Sequence, residues 1–353
     1  MFRLINKFQR EVNLPGSRDT IGISEAAYGD LFYRNRIRQY TTLDNLTATQ
    51  IHNTGLAEVK RIRAEMEKTL EGINFLGTLD QFLVFLRTDE RFFYKTPEEL
   101  MAAYEKTARA IEPQLPKLFG NLPKTRFGIR PIPAASAPTT TTAYYQPPSL
   151  DGSRPGNFYV NLYKPESRPT WEIEALTAHE AVPGHHLQIA LAYELTGLPE
   201  FRRNADYTAF VEGWALYAES LGYDLGLYTD AVSKIGQLNY DMWRAVRLVV
   251  DTGMHQFKWT RDQAIYYFRQ NTGKSDQDIV NEIDRYISWP GQALAYKVGQ
   301  LRIQALRAEA EKALGTSFDI RAFHDKLLGG GALPLSVLEA DMRAWIAAQS
   351  TRR

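Results

Sequence analysis

The chain has 353 residues, room for one large domain or two smaller ones around a substantial core. Lys and Arg number 42 against 41 for Asp and Glu, a formal net charge of +1, so no global basic field points to nucleic acid or to an anionic membrane. There is no cysteine, which removes disulfides, thiolate metal sites and a cysteine nucleophile, and no apolar run approaches the ~18 residues of a membrane span.

The opening residues, Met1 to Phe8, lack the long apolar core and small-residue cleavage site of a signal peptide. Residues 1–46 carry few periodic signals, and Pro15, Gly16 and Gly22 mark loop; they form an N-terminal segment ahead of a helical body beginning at residue 47. From Ala48 to Leu70, Ile51, Leu56, Val59, Ile62 and Met66 recur at helical spacing with charges between them. Asp80–Leu86 is a short apolar piece. Thr96-Pro97-Glu98-Glu99 reads as a helix start, a cap followed by proline and acids, for a helix running to Ile111. Residues 113–156 then hold most of the prolines, and three short strands fit: Arg126–Ile132, Thr141–Tyr145 and Asn157–Tyr163. The last is expected to be an exposed sheet edge that pairs with an extended peptide, helped by the Asn161 side chain; the alternative is an internal strand.

From Thr170 the pattern is helical almost to the end. Helices are predicted over 171–182, 185–195, 206–221, 231–257, 261–270, 276–288, 291–314, 319–328 and 335–348, several stopped by glycine. The expected fold is mainly α, in the α+β sense: a large helical domain with a small β-sheet ahead of the residues that carry the chemistry.

Those residues lie in Thr177-Ala178-His179-Glu180-Ala181-Val182-Pro183-Gly184-His185-His186, which holds three of the six histidines. A zinc hydrolase needs imidazoles or carboxylates on the metal, an open position for water, and a base beside that water. The HExxH arrangement meets this on one helix, with its histidines one turn apart. Here the second histidine comes six positions after His179, or seven if it is His186. On a straight helix, position i+7 lies about 10 Å along the axis, too far for bonds of about 2 Å to one ion. Pro183 and Gly184 resolve the conflict, because proline breaks the helical ladder and glycine permits unusual dihedrals. The break is expected to fold His185 or His186 back toward His179. The alternative is that these histidines are satisfied polar groups at a helix kink.

A third ligand is expected in Phe210-Val211-Glu212-Gly213-Trp214-Ala215-Leu216-Tyr217-Ala218-Glu219. Apolar flanks single out Glu212, and Gly213 would let another backbone come close; Glu219 is the reserve, or orients a ligand histidine. On the helix over 231–257, Arg244, Arg247, Asp251 and His255 form one polar stripe on an otherwise apolar helix. Either Arg247 and Asp251 orient the site, with His255 aimed at the oxyanion or substrate, or the stripe is a structural ion-pair network. An arginine there could also receive a peptide's terminal carboxylate. Tyr286 and Tyr296, flanking the Trp289-Pro290-Gly291 break, are candidate hydrogen-bond donors to an oxyanion.

His-Glu-x-x-Pro-Gly-His-His, the later Glu-Gly-Trp-Ala-Leu-Tyr-Ala-Glu, Asp251-Thr-Gly-Met-His255 and the stretch from Tyr286-Ile-Ser-Trp-Pro-Gly-Gln to Tyr296-Lys297 together resemble the bacterial "domain of unknown function 885" proteins, over about residues 35 to 348. The resemblance implies a zinc metallopeptidase of the largely helical gluzincin type, distant from thimet oligopeptidase and angiotensin-converting enzyme. Thimet-type relatives have Gly-His soon after His-Glu, which favours His185 as second ligand and leaves His186 to touch substrate or support a ligand. Tyr296, in the C-terminal signature, is preferred to Tyr286 as oxyanion donor, with Lys297 beside it as a substrate or supporting group. Many members are longer at the N-terminus, so the chain is expected to be a short form or a fragment; many are exported or lipid-anchored, and no such signal is visible here.

The expected activity is hydrolysis of short peptides with one zinc ion on His179, His185 and Glu212. Glu180 acts as the base, and Tyr296 and His255 stabilise the oxyanion. The alternatives are a metal-dependent hydrolase of another amide or ester and a non-catalytic metal-containing binding protein. Against the latter, a base beside the ligands serves no purpose in a purely structural zinc site. Neither substrate identity nor oligomeric state follows from the sequence.

Overall fold

The structure is a computed structural model and describes residues 20–351 except Asn74, together with Lys7, Glu11 and Arg18. In chain order, helices α1 (Gly29–Thr41), α2 (Ala48–Glu71), α3 (Leu79–Thr88) and α4 (Pro97–Ile111) precede strands β1 (Phe127–Pro131), β2 (Ala143–Gln146) and β3 (Gly156–Val160). Helices α5 (Ile173–Glu180), α6 (His185–Glu194), α7 (Glu200–Arg203), α8 (Thr208–Leu221), α9 (Ala231–His255), α10 (Arg261–Asn271), α11 (Asp276–Ser288), α12 (Leu294–Leu314), α13 (Ile320–Leu328) and α14 (Leu335–Ser350) follow. The fold is mainly helical with a small sheet.

Local chemistry sets many of these boundaries. Thr47, Thr78, Thr96, Asp230 and Thr260 each close a capping box with the residue three positions on, satisfying otherwise orphaned N–H groups at the starts of α2, α3, α4, α9 and α10. The short apolar piece at Asp80–Leu86 is therefore the body of a helix, burying Leu79, Phe82, Leu83 and Leu86. The segment before residue 47 holds more than loop. Helix α1 buries Tyr33 and Ile37 in the main core, and the Tyr33 hydroxyl donates to Asp251 at 2.6 Å. Residues 1–6, 8–10, 12–17 and 19 lie outside the described residues.

The sheet has the order β1-β3-β2, with β1 parallel and β2 antiparallel to β3. The expected edge strand is thus the central one, with Phe158 and Val160 buried and both sides paired. The two edges of the sheet are β1 and β2.

Helix α9 is the spine of the molecule. Almost all of its residues from Ile235 onward are buried, and they pack on α2 along one side and on the site helices along another. Helices α8 and α12 cross at a point of near backbone contact. A Cβ on Gly213 would lie 2.5 Å from the Cα of Gly299, and one on Gly299 would lie 1.9 Å from the Ala209 carbonyl oxygen.

Candidate metal centre

Helix α5 ends with His179 and Glu180, and α6 begins at His185. Between them Ala181 (ψ −102°) and Gly184 (ψ −127°) leave the helical region, so the chain turns instead of advancing along one axis. Gly184 has no room for a side chain, since a Cβ there would lie 1.8 Å from the His179 carbonyl oxygen. The indole N–H of Trp214 donates to the Pro183 carbonyl at 2.9 Å, tying this turn to α8. The break brings the His179 and His185 rings to a centroid separation of 4.8 Å.

Helix α8 supplies Glu212, whose Oε2 lies 3.5 Å from the Nε2 of both His179 and His185. One ligand atom from each of the three residues falls within 4.8 Å of the others, the one such group found among the described residues. Two ligand atoms on one tetrahedral zinc ion are separated by about 3.4 Å, so the donor set fits such an ion with little adjustment. Glu212 Oε2 is buried without a hydrogen-bond partner, a cost that a cation would remove. Burial opposes charge on His179, but the Glu212 and Glu219 carboxylates outweigh it and raise the imidazole to about 9. Burial likewise opposes ionisation of Glu212, yet the two imidazoles hold it well below the usual carboxylate range. The centre attracts positive charge.

Glu219, fully buried, accepts from His179 Nδ1–H at 2.8 Å and sits 3.4 Å from the Arg244 guanidinium. This fixes the tautomer that leaves His179 Nε2 toward Glu212. His186 points elsewhere: its Nε2–H donates to the Thr125 carbonyl at 3.1 Å, and its Nδ1 accepts from the Tyr145 hydroxyl at 2.8 Å.

The three ligand groups line a cavity of about 430 Å³ together with Glu180, which is half-buried. A second wall is the free edge of β2 and the residues leading into it, Thr141 to Tyr145. A third comes from α9, α11 and α12: Trp243, Arg244, Arg247, Arg285 and Tyr296. Burial and the nearby Glu212 carboxylate push the Tyr296 hydroxyl up to about 12, so it stays protonated and able to donate.

Four other expected site residues are not brought to the cavity. His255 lies eight residues beyond Arg247, about 12 Å further along α9. Its Nε2–H donates to the Tyr286 carbonyl at 3.0 Å and its Nδ1 accepts from the Ile23 N–H at 3.3 Å, leaving nothing for an oxyanion. Asp251 accepts from Tyr33 and from the Gly291 N–H, a structural tie between α1, α9 and the turn that precedes α12. Lys297, one position past Tyr296, faces another side of α12 and binds Asp241 at 2.7 Å and Glu58 at 2.9 Å. Asn161 spends its amide on the Ala137, Thr140 and Thr141 carbonyls, shaping the loop into β2 rather than meeting a substrate. Sequence reading passed over Glu282 and Arg285 on α11. They sit among charged neighbours that read as a solvated face, yet both line the cavity.

A family model described as "Bacterial protein of unknown function (DUF885)" matches residues 2–342. A solved structure of a candidate lipoprotein from Colwellia psychrerythraea is 38% identical with a TM-score of 0.93, covering 98% of this chain and 60% of that one. A candidate lipoprotein of unknown function from Shewanella oneidensis shares the fold, with 20% identity and a TM-score of 0.76, covering 97% of this chain and 63% of that one. The chain thus spans about three fifths of the length of these relatives. No curated protein matches. The chain belongs to the bacterial DUF885 family of proteins of unknown function.

Proposed function

We propose that this protein hydrolyses peptide bonds with one zinc ion held by His179, His185 and Glu212, in the manner of gluzincin-type peptidases and on a thimet-oligopeptidase-like helical scaffold. The observation that carries the reading is the convergence of these three groups with Glu180 in one cavity beside a free strand edge. When bound, zinc supplies a lowered pKa for water and a polarised substrate carbonyl.

The chain's own groups do the rest. The β2 edge holds an extended backbone by main-chain hydrogen bonds, without reading side chains. Glu180 takes a proton from the attacking water as the new C–O bond forms, then passes it to the amine as the C–N bond breaks. One water and one amide yield one carboxylic acid and one amine. The Tyr296 hydroxyl donates to the oxygen on which negative charge develops. Glu219 keeps His179 Nε2 available.

The test is mass-spectrometric profiling of peptide cleavage with and without a chelator, for the native protein and for Glu180→Gln. The native protein is expected to cleave, and chelation to stop it. Glu180→Gln should lower turnover by about 10²-fold or more while zinc content stays at one ion per chain. Full activity in the variant would overturn the role of Glu180, and chelator-insensitive cleavage would overturn the metal mechanism.

A further inference from the structure

One wall of the cavity that His179, His185 and Glu212 also line carries unbalanced charge. Glu282 Oε2 accepts from Arg247 Nη2 at 3.0 Å, from Arg285 Nη2 at 3.1 Å and from the Tyr286 hydroxyl, and its Oε1 accepts from Arg285 Nε at 3.2 Å. Burial opposes its ionisation, but the two guanidinium groups hold Glu282 down at about 2. Burial keeps Tyr286 neutral, well above its ordinary range. Two cations therefore share one carboxylate, leaving one net positive charge in a largely desolvated wall. Arg244 does not add to the excess, because Glu219 answers it. An unneutralised buried charge is costly unless a partner arrives.

The two arginines differ in access. Arg247 is 4% exposed, lies between the rings of Trp243 (4.6 Å) and Tyr296 (4.4 Å), and its Nη1 has no acceptor. The Arg285 side chain is 30% exposed and lines the cavity, with Nη1 donating to Gln292 at 2.7 Å. Tyr296, with the Arg247 guanidinium 4.4 Å from its ring, lines the same cavity as Glu212 and Arg285.

We infer that Arg285, backed by Arg247, receives a carboxylate of the substrate beside the hydrolytic centre, which makes the preferred substrate a peptide with an anionic group close to the bond cleaved. The inference rests on the peptidase reading above. Beyond the bonds to Glu282 and Gln292, Nη1 and Nη2 of Arg285 each keep one further N–H for an incoming carboxylate, and the aromatic rings beside Arg247 hold that second guanidinium in place. The carboxylate has two possible sources, the C-terminus of a short peptide and an acidic side chain.

Calorimetric binding to zinc-loaded Glu180→Gln tests this without turnover. The probes are one N-acetylated tripeptide as the free acid, the same tripeptide as its C-terminal amide, and the amide with aspartate as last residue. The free acid is expected to bind roughly tenfold tighter than the plain amide, and Arg285→Gln, at a partly exposed position, to erase that preference. A gain for the aspartyl amide alone assigns the pocket to an acidic side chain instead of a C-terminus. Equal affinity for all three, including equally weak binding, overturns the inference. Arg247→Lys, which keeps the charge but loses the planar fork, should weaken the preference; the comparison without either arginine variant stands if one of them fails to fold. The two readings fail separately. A protein that cleaves nothing but prefers the acid refutes the peptidase reading alone. A chelator-sensitive peptidase that binds and cleaves acid and amide alike refutes the carboxylate site alone.

Discussion

At the scale of single residues, the proposed metal centre depends on a group that does not line the cavity. Glu219 accepts from His179 Nδ1–H and is itself approached by Arg244, so the imidazole is held in one tautomer and one orientation. Such supporting carboxylates are typically worth 10–100-fold in metal affinity. Glu219→Ala is therefore expected to weaken zinc binding by about that factor, read in competition titrations against a chromophoric chelator. Unchanged affinity would remove Glu219 from this role. Much of this was legible in the residues themselves. His179, Glu180 and Glu212 are singled out by spacing and flanks, and the adjacent histidines left a choice that only the turn could settle. His185 reaches Glu212, while His186 is taken up by Thr125 and Tyr145. Arg285 and Glu282 escaped notice because their significance comes from Arg247, on another helix.

At the scale of elements, the break between α5 and α6 decides whether there is a site. Gly184 packs its Cα against the His179 and Ala178 carbonyls, where a Cβ would lie 1.8 and 2.5 Å away. Gly184→Ala should push the two helices apart and cut zinc content well below one ion per chain, while circular dichroism keeps its helical signal. Native zinc stoichiometry in that variant would show that the turn accommodates a methyl group. The same scale explains which elements the sequence announced. The helix start at Thr96-Pro97 was legible, whereas α3 was read only as a short apolar piece, although its capping box, Thr78-x-x-Gln81, stands ahead of that run. Helix α1 is preceded by Tyr28 in a left-handed conformation (φ 60°) without a side-chain cap, and Leu31 and Phe32 on its exposed side blur its periodicity. The place of β3 in the middle of the sheet follows from pairing with β1 some thirty residues earlier, which no local pattern encodes.

At the scale of the whole molecule, α9 joins two functions in one helix. Its first polar pair, Arg244 and Arg247, faces the cavity. Its second, Asp251 and His255, locks α1 and the segment around Tyr286 to Gly291 onto the core. The stripe was visible in the sequence; its division was not, because it depends on which distant segments come to lie along the helix. Two other buried histidines couple the fold to pH. Burial lowers both His186 and His324 to about 4, against hydrogen bonds to the Thr125 and Leu118 carbonyls that favour charge. Each lies below the unfolded value of about 6.5, so the fold favours the neutral ring. Their contribution is complete above pH ~6.5 and is lost as pH falls through about 4. Differential scanning calorimetry should show Tm declining across that window, with His324→Gln flattening part of the decline. A flat Tm between these limits would contradict the burial of neutral imidazoles.

The crossing of α8 and α12 carries one more implication. Gly213 adjoins Glu212, Gly299 lies one turn from Tyr296, and the two main chains touch where neither residue has a side chain. A histidine can be re-aimed by a rotamer, but a methyl group between these backbones has nowhere to go. In this chain the chamber therefore requires hydrogen at both positions. The pair fixes the shape of the chamber independently of whatever its carboxylate and imidazoles hold.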